Sequence, residues 1–211
     1  MPGELDLKPV FSVGHSNFEL EVFLEMLHGQ HVELLIDVRS RPQSGRFPQF
    51  SQPGFQAAVE AVGVSYLFLG EELGGRPDDP DVYRQDGVVD YALRRKSYAF
   101  CAGVERVLLE AESRSVALLC AEEDPLECHR FLMICPELVA RGARPLHIRK
   151  GSRLETQEEA ENRLLESNHL GAFAVNSLFP DARRDALEDA YRLQAGKFAY
   201  RVDPAQLSAS W

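Results

Sequence analysis

The chain has 211 residues, 45% hydrophobic and 27% charged, a balance that supports one folded core plus an appendage and excludes a disordered chain. Its formal charge of −10 argues against broad affinity for nucleic acid or anionic membranes, because phosphate is repelled at long range. No run approaches the ~20 apolar residues of a membrane helix. There is no basic start followed by an apolar leader, and four cysteines without an export signal read as reduced thiols, so a cytoplasmic protein with no membrane partner is expected.

Pro9 to Val13 reads as a first strand ending at Gly14, after which Asn17 is placed to cap a helix carrying Leu20, Phe23, Leu24 and Leu27 at helical spacing. Val32 to Val38 is a second strand, nearly all apolar, as expected of one covered on both faces. A Pro-rich loop with Pro42, Pro48 and Pro53 precedes a short helix near 55–62, and Val64 to Leu69 is the third strand. The Gly/Asp/Pro segment 70–90 predicts a long surface loop, and 91–112 predicts one helix leading to a fourth strand, Ser115 to Cys120.

Asp124-Pro125-Leu126-Glu127 has the form of a helix start, with a capping carboxylate, Pro at the first position and Glu three residues on. That helix is expected to run towards Gly142 with a kink at Pro136, before a fifth strand, Pro145 to Ile148. After residue 150 the pattern turns to polar helical segments near 155–167 and 181–194. The reading is therefore a core domain over 8–150 and a helical extension packed on it over 151–211. Strands separated by helices imply a three-layer α/β fold, with a mostly parallel five-stranded sheet and helices on both faces. Such sheets bind ligands outside the carboxyl ends of their strands.

Three strand ends carry polar motifs. Gly14-His15-Ser16-Asn17 opens a helix, where backbone N–H groups and the helix dipole favour an anion; plain capping is the competing reading. The second motif is Asp37-Val38-Arg39-Ser40-Arg41-Pro42, and between Val38 and Val59 there are three arginines, Arg39, Arg41 and Arg46, and no carboxylate. Guanidinium groups there suit phosphate or carboxylate, with Asp37 as an orienting group or base, unless the arginines pair with nearby acids. Cys120-Ala121-Glu122-Glu123-Asp124-Pro125-Leu126-Glu127-Cys128-His129-Arg130 is the densest group. Its Cys128, beside His129 and Arg130, has the surroundings of an activated nucleophile, and Glu122 or His129 suits acid/base work. Cys128 also falls on an apolar helical stripe with Phe131, Leu132 and Cys135, which suits an inert packing role.

A metal site is not expected. No Cys-x-x-Cys or His-x-x-x-His spacing occurs, and Cys128 and His129, if adjacent on a helix, point about 100° apart. No cofactor is expected either, since neither a Gly-x-Gly-x-x-Gly turn nor a Gly-x-Ser-x-Gly elbow is present.

In this order, Gly14-His15-Ser16-Asn17, Asp37-Val38-Arg39-Ser40-x-Pro42, Phe47-Pro48-Gln49-Phe50, Leu73-Gly74-Gly75 and Cys120-Ala121-Glu122-x-Asp124-Pro125-x-x-Cys128-His129-Arg130 resemble a prokaryotic family of unknown function, domain of unknown function 488. The resemblance covers roughly residues 10–148 and implies an α/β domain with a motif-bearing pocket. It implies no reaction. The segments around Asp37 and Cys120 are also similar to rhodanese-type sulfurtransferases, but the sulfurtransferase Cys-x-x-Gly-x-Arg loop is absent.

The expectation that follows is an enzyme acting on a small anionic, phosphate-bearing substrate, such as a nucleotide or nucleic-acid fragment. Its candidate catalytic residues are Glu122, His129, Cys128 and Asp37, and its candidate anion ligands are His15, Ser16, Asn17, Arg39, Arg41 and Arg130. The alternatives are a non-catalytic nucleotide- or nucleic-acid-binding module and, more remotely, a rhodanese-like sulfurtransferase.

Overall fold

The structure is a computed structural model that describes residues 7–172 and 181–207. Five parallel strands form the sheet: β1 (Val10–Gly14), β2 (Leu34–Asp37), β3 (Ser65–Phe68), β4 (Val116–Cys120) and β5 (Leu146–Ile148). A sixth, β6 (Leu154–Thr156), runs antiparallel to β5 at the edge, giving the order β3-β2-β4-β1-β5-β6. Three residues with only one buried side chain carry too little alternation to mark β6 in the sequence.

Alternation along the strands divides the core in two. Phe11, Val13, Leu35, Ala117 and Leu119 face α1 (Leu20–Gly29) and α2 (Gly54–Ala61) through Phe23, Leu27, Phe55 and Val59. Val10, Leu34, Ile36, Val116, Leu118 and Cys120 face the other side. There they meet α5 (Tyr98–Ala111), α6 (Cys135–Ala140), α7 (Gln157–Ser167) and α8 (Ala182–Phe198). Between β3 and α5 lie α3 (Gly70–Leu73) and α4 (Tyr91–Arg94). Among the described residues no helix is long and apolar enough to cross a membrane.

Several boundaries differ from expectation for local reasons. α1 begins at Leu20, with Glu19 at its cap position; Ser16 is held at φ +45° and Asn17 lies outside the helix, so Asn17 does not cap it. The expected helix 91–112 divides at Ser97, whose hydroxyl accepts from the N–H of Phe100 and restarts the helix as α5. The expected helix 124–142 divides as well. Asp124 does cap a turn, accepting from the N–H of Leu126 at 3.0 Å, but that turn covers only Pro125–Glu127. Cys128 is then extended (φ −129°, ψ 140°), and a π-helical segment, Arg130–Ile134, follows before α6. Pro136 stands in the first turn of α6, directly after the π-helical segment.

Segment 70–76 is not a surface loop. Leu73, Gly74 and Gly75 are buried, and a side chain at Gly75 would meet the His129 ring at 2.9 Å. Gly14 is constrained more tightly, because a Cβ there would lie 1.6 Å from the carbonyl oxygen of Glu122. β1 therefore ends where it does so that the chain leaving β4 can cross it. Replacing Gly14 with Ala is expected to cost about 1–3 kcal/mol or more, as overpacking against backbone does, in urea-unfolding measurements. A change within 0.5 kcal/mol would contradict this close approach.

Candidate functional site

A cleft of about 600 Å³ opens at the carboxyl ends of the strands, with His15, Ser16, Arg39, Arg41, Cys120, Glu122 and His129 among its lining residues. Segments more than 100 residues apart in sequence are thus brought to one rim. The convergence has a simple cause: β1, β2 and β4 are adjacent and parallel, so the loops leaving them emerge side by side. Asp37, Asn17, Cys128 and Arg130 are not part of the lining.

Two of the expected anion ligands are structural. Arg130 is fully buried, donating from Nη1 to the carbonyl of Glu122 at 2.6 Å, from Nη2 to that of Glu123 at 2.9 Å and from Nε to Ser12 Oγ at 3.2 Å. Every branch of the guanidinium is engaged internally, so Arg130 is not a ligand-binding residue. Arg39 is 6% exposed and grips Asp37 through Nε and Nη2, the latter at 2.6 Å, while Nη1 donates to the carbonyl of Phe50. Asp37 also accepts from Tyr66 Oη at 2.6 Å and from the N–H of Arg39. With both carboxylate oxygens engaged and no exposure, Asp37 is an orienting group for Arg39 and not a base.

The cations free to meet a ligand are Arg41, Arg46 and Arg76, all exposed on the cleft. None has a carboxylate within ion-pairing distance among the described residues. Arg46 lies over the Phe47 ring at 5.4 Å and Arg76 over Tyr200 at 4.9 Å. Arg46 was visible in the sequence as part of the carboxylate-free arginine run. Arg76 was hidden in an apparently flexible loop, and Tyr200 and Phe198 come from the end of α8 and the segment beyond it.

His15 is buried, stacked on Phe50 at 4.4 Å between ring centroids, and its Nδ1–H donates to the carbonyl of Ser16 at 2.9 Å. Burial lowers its pKa to about 4, so the imidazole is neutral near pH 7.

The reactive groups of the cleft gather around Cys120. The Cys120 thiol lies 3.1 Å from Glu122 Oε2 and 3.6 Å from His129 Nδ1, and Cys128 Sγ lies 3.8 Å from the same nitrogen. His129 Nε2 is 3.0 Å from the carbonyl of Val38. A carbonyl only accepts, so Nε2 carries the proton and Nδ1 of neutral His129 presents its lone pair to the two sulfurs. The side chain of Glu122 reaches solvent, yet the surrounding protein desolvates its carboxyl, and this, with Cys128 close by, raises its pKa. Burial opposes the charging of Cys128, but the neighbouring Cys120 thiol, Arg130 and His129 together bring its pKa well below the ordinary thiol value. Cys128 is 1% exposed, so any role it has is played from behind Cys120 and His129.

The structure also overturns the geometric objection to a metal. Because Cys128 is extended, its side chain does not diverge from that of His129 as on a helix, and the ligand atoms of Cys120, Cys128 and His129 all lie within 4.8 Å of one another.

Together the fold and the cleft define an α/β protein whose polar site sits on the carboxyl edge of a mostly parallel sheet. The chain belongs to the family described as Domain of unknown function DUF488, which it matches over residues 19–134. That span holds the arginine motif and the whole Cys120–Arg130 segment. No curated protein matches the sequence. Among solved structures, a Shewanella putrefaciens CN-32 protein described as "Putative phosphatase (DUF442)" is similar at 11% identity and a TM-score of 0.37, with 92% of this chain and 96% of that chain covered. A likeness of that size bears on neither substrate nor mechanism.

Two outcomes follow for stability. Arg130→Met leaves the Glu122 and Glu123 carbonyls and the Ser12 hydroxyl without the donor they now share, and is expected to cost about 3–5 kcal/mol in chemical denaturation. Arg41→Met is expected to stay within 0.5 kcal/mol of the parent. Equal effects would contradict the division between the two arginines. A second outcome concerns pH. His15 and His147 both have folded-state pKa values lowered to about 4, chiefly by burial, against 6.5 when unfolded. The unfolded chain therefore takes up protons first, and stability present above pH 6.5 is lost as pH falls towards 4. A urea midpoint that declines over this interval in the parent, and less steeply in His147→Asn, is expected. Identical slopes would contradict the buried neutral state of His147.

Proposed function

We propose that the protein is an enzyme acting on a small phosphate-bearing substrate, held in the cleft by Arg41, Arg46 and Arg76. The observation that carries this reading is charge. In a chain of formal charge −10, three arginines without carboxylate partners line one cleft together with Glu122, Cys120 and His129. Uncompensated guanidinium groups attract phosphate and grip it through paired hydrogen bonds.

The rest of the lining supports a nucleotide-like ligand. Phe47 lies under Arg46 and Tyr200 under Arg76, and Phe198 also lines the cleft, which gives flat apolar surface beside cationic groups. Glu122 is the group best placed for acid/base work. Its raised pKa brings it nearer to the operating pH, where a carboxyl both takes and returns a proton. His15, neutral and with no hydrogen-bond partner on Nε2 among the described residues, is a second acceptor on the same rim.

The test is calorimetric binding of inorganic phosphate and nucleoside monophosphates, together with turnover of a panel of phosphate esters. Each of Arg41→Ala, Arg46→Ala and Arg76→Ala is expected to weaken binding by about fivefold, roughly 1 kcal/mol, and all three together to abolish it. Glu122→Gln is expected to reduce turnover at least 100-fold while changing affinity less than threefold. Binding that survives the triple substitution would refute the anion site. Tight ligand binding with no turnover of any ester would favour a binding module over an enzyme.

A further inference from the structure

We propose that Cys120, Cys128 and His129 form a divalent-metal site suited to zinc, with a fourth coordination position open to the cleft beside Glu122. Three observations carry it. The first is spacing. Zinc–sulfur bonds of about 2.3 Å and zinc–nitrogen bonds of about 2.0–2.1 Å at tetrahedral angles place sulfur and nitrogen about 3.5–3.6 Å apart. The two sulfur-to-Nδ1 distances here are 3.6 and 3.8 Å. Both sulfur-to-nitrogen distances are close to those that one ion requires, and all three ligand atoms lie within 4.8 Å of one another.

The second is the tautomer. His129 Nε2 donates to the carbonyl of Val38 at 3.0 Å, which leaves Nδ1 as the acceptor pointed at both thiols. An imidazole fixed by a backbone carbonyl on one nitrogen, with its other nitrogen free, is the usual outer-shell arrangement of a metal-ligating histidine.

The third is charge. Arg130 is fully buried and has no carboxylate among its hydrogen-bond partners. With a divalent ion bound, two thiolates, the Glu122 carboxylate and the Arg130 guanidinium sum to zero: 2 − 2 − 1 + 1. The same groups without an ion and with both thiols ionised would carry two negative charges in a dry site, which is costly.

The ligands also divide by exposure. Cys120 and His129 line the cleft, whereas Cys128 lies behind them at 1% exposure. An ion among them is closed at the back and open at the front, as in zinc sites that bind water or substrate at the fourth position. Glu122 Oε2, 3.1 Å from Cys120 Sγ, is near enough to take a proton from a water bound there, leaving metal-bound hydroxide and a neutral carboxyl. Arg41, Arg46 and Arg76 line the same cleft.

The experiment needs no substrate, so its result is independent of the substrate class proposed above. The reduced full chain, stripped with a chelator, is titrated with Zn²⁺ against a competing chromophoric chelator, and separately with Co²⁺. One metal per chain is expected, with thiolate-to-cobalt charge-transfer absorption and the intense d–d bands of tetrahedral Co²⁺. Cys120→Ser and His129→Gln are each expected to weaken Zn²⁺ binding at least 10-fold, whereas Cys101→Ser leaves it unchanged. Absence of the charge-transfer band in the parent chain would overturn the proposal. So would Zn²⁺ affinity that stays within threefold in both Cys120→Ser and His129→Gln. If those variants fail to fold, the cobalt spectrum of the parent decides alone.

Discussion

The architecture of the site rests on a guanidinium buried without a carboxylate. Arg130 holds the carbonyls of Glu122 and Glu123, and so dictates the path of the chain as it leaves β4. The cost of burying that cation is met by hydrogen bonds on every side and by a neutral polar chain beneath it. Arg130 Nε donates to Ser12, Ser12 meets His147 Nδ1 at 2.7 Å, and His147 Nε2 reaches Gln157, which donates to Tyr191 Oη. Strands β1 and β5, helix α7 and helix α8 are thereby tied to one loop. Gly14 completes the arrangement, because only a residue without a side chain lets Glu122 cross the end of β1. Cys120 and Glu122 are displayed at the cleft because this backbone cannot take another course.

A second tie fixes the same loop from outside. Glu123 and Asp124 pair with Arg149, Asp124 and Glu155 pair with Arg163, and Arg149 pairs with Glu155. Glu123 and Asp124 of the motif are thus consumed in structure, whereas Glu122 and Glu127 line the cleft. The arginines divide in the same way. Arg39, Arg130, Arg149 and Arg163 belong to the framework, while Arg41, Arg46 and Arg76 remain for a ligand.

Much of this was legible in the sequence. All five parallel strands were readable from short apolar runs that end in polar motifs, and the carboxyl-edge rule placed His15, Arg41, Glu122 and His129 on one rim. What was not legible depended on backbone and partners. Nothing in the residue order says that Cys128 is extended, so a helical stripe and a 100° divergence from His129 were natural inferences, and the cysteine–histidine cluster was dismissed with them. Nothing in the residue types distinguishes Arg130 from Arg41, since the acceptors that hold Arg130 are two backbone carbonyls and Ser12, which the fold brings together. Arg76 was missed because Gly74-Gly75 suggests flexibility, whereas those glycines serve close packing against Ser40 and His129.

The most direct measurement is an NMR titration of the arginine Nε–Hε and histidine ring resonances with inorganic phosphate and a nucleoside monophosphate. A shared site predicts that Arg41, Arg46 and Arg76 shift together with His129 along a single saturating curve, while Arg39 and Arg130 stay where they are. Shifts confined to arginines outside the cleft, or movement of Arg130 in step with the ligand, would contradict the division between scaffold and site.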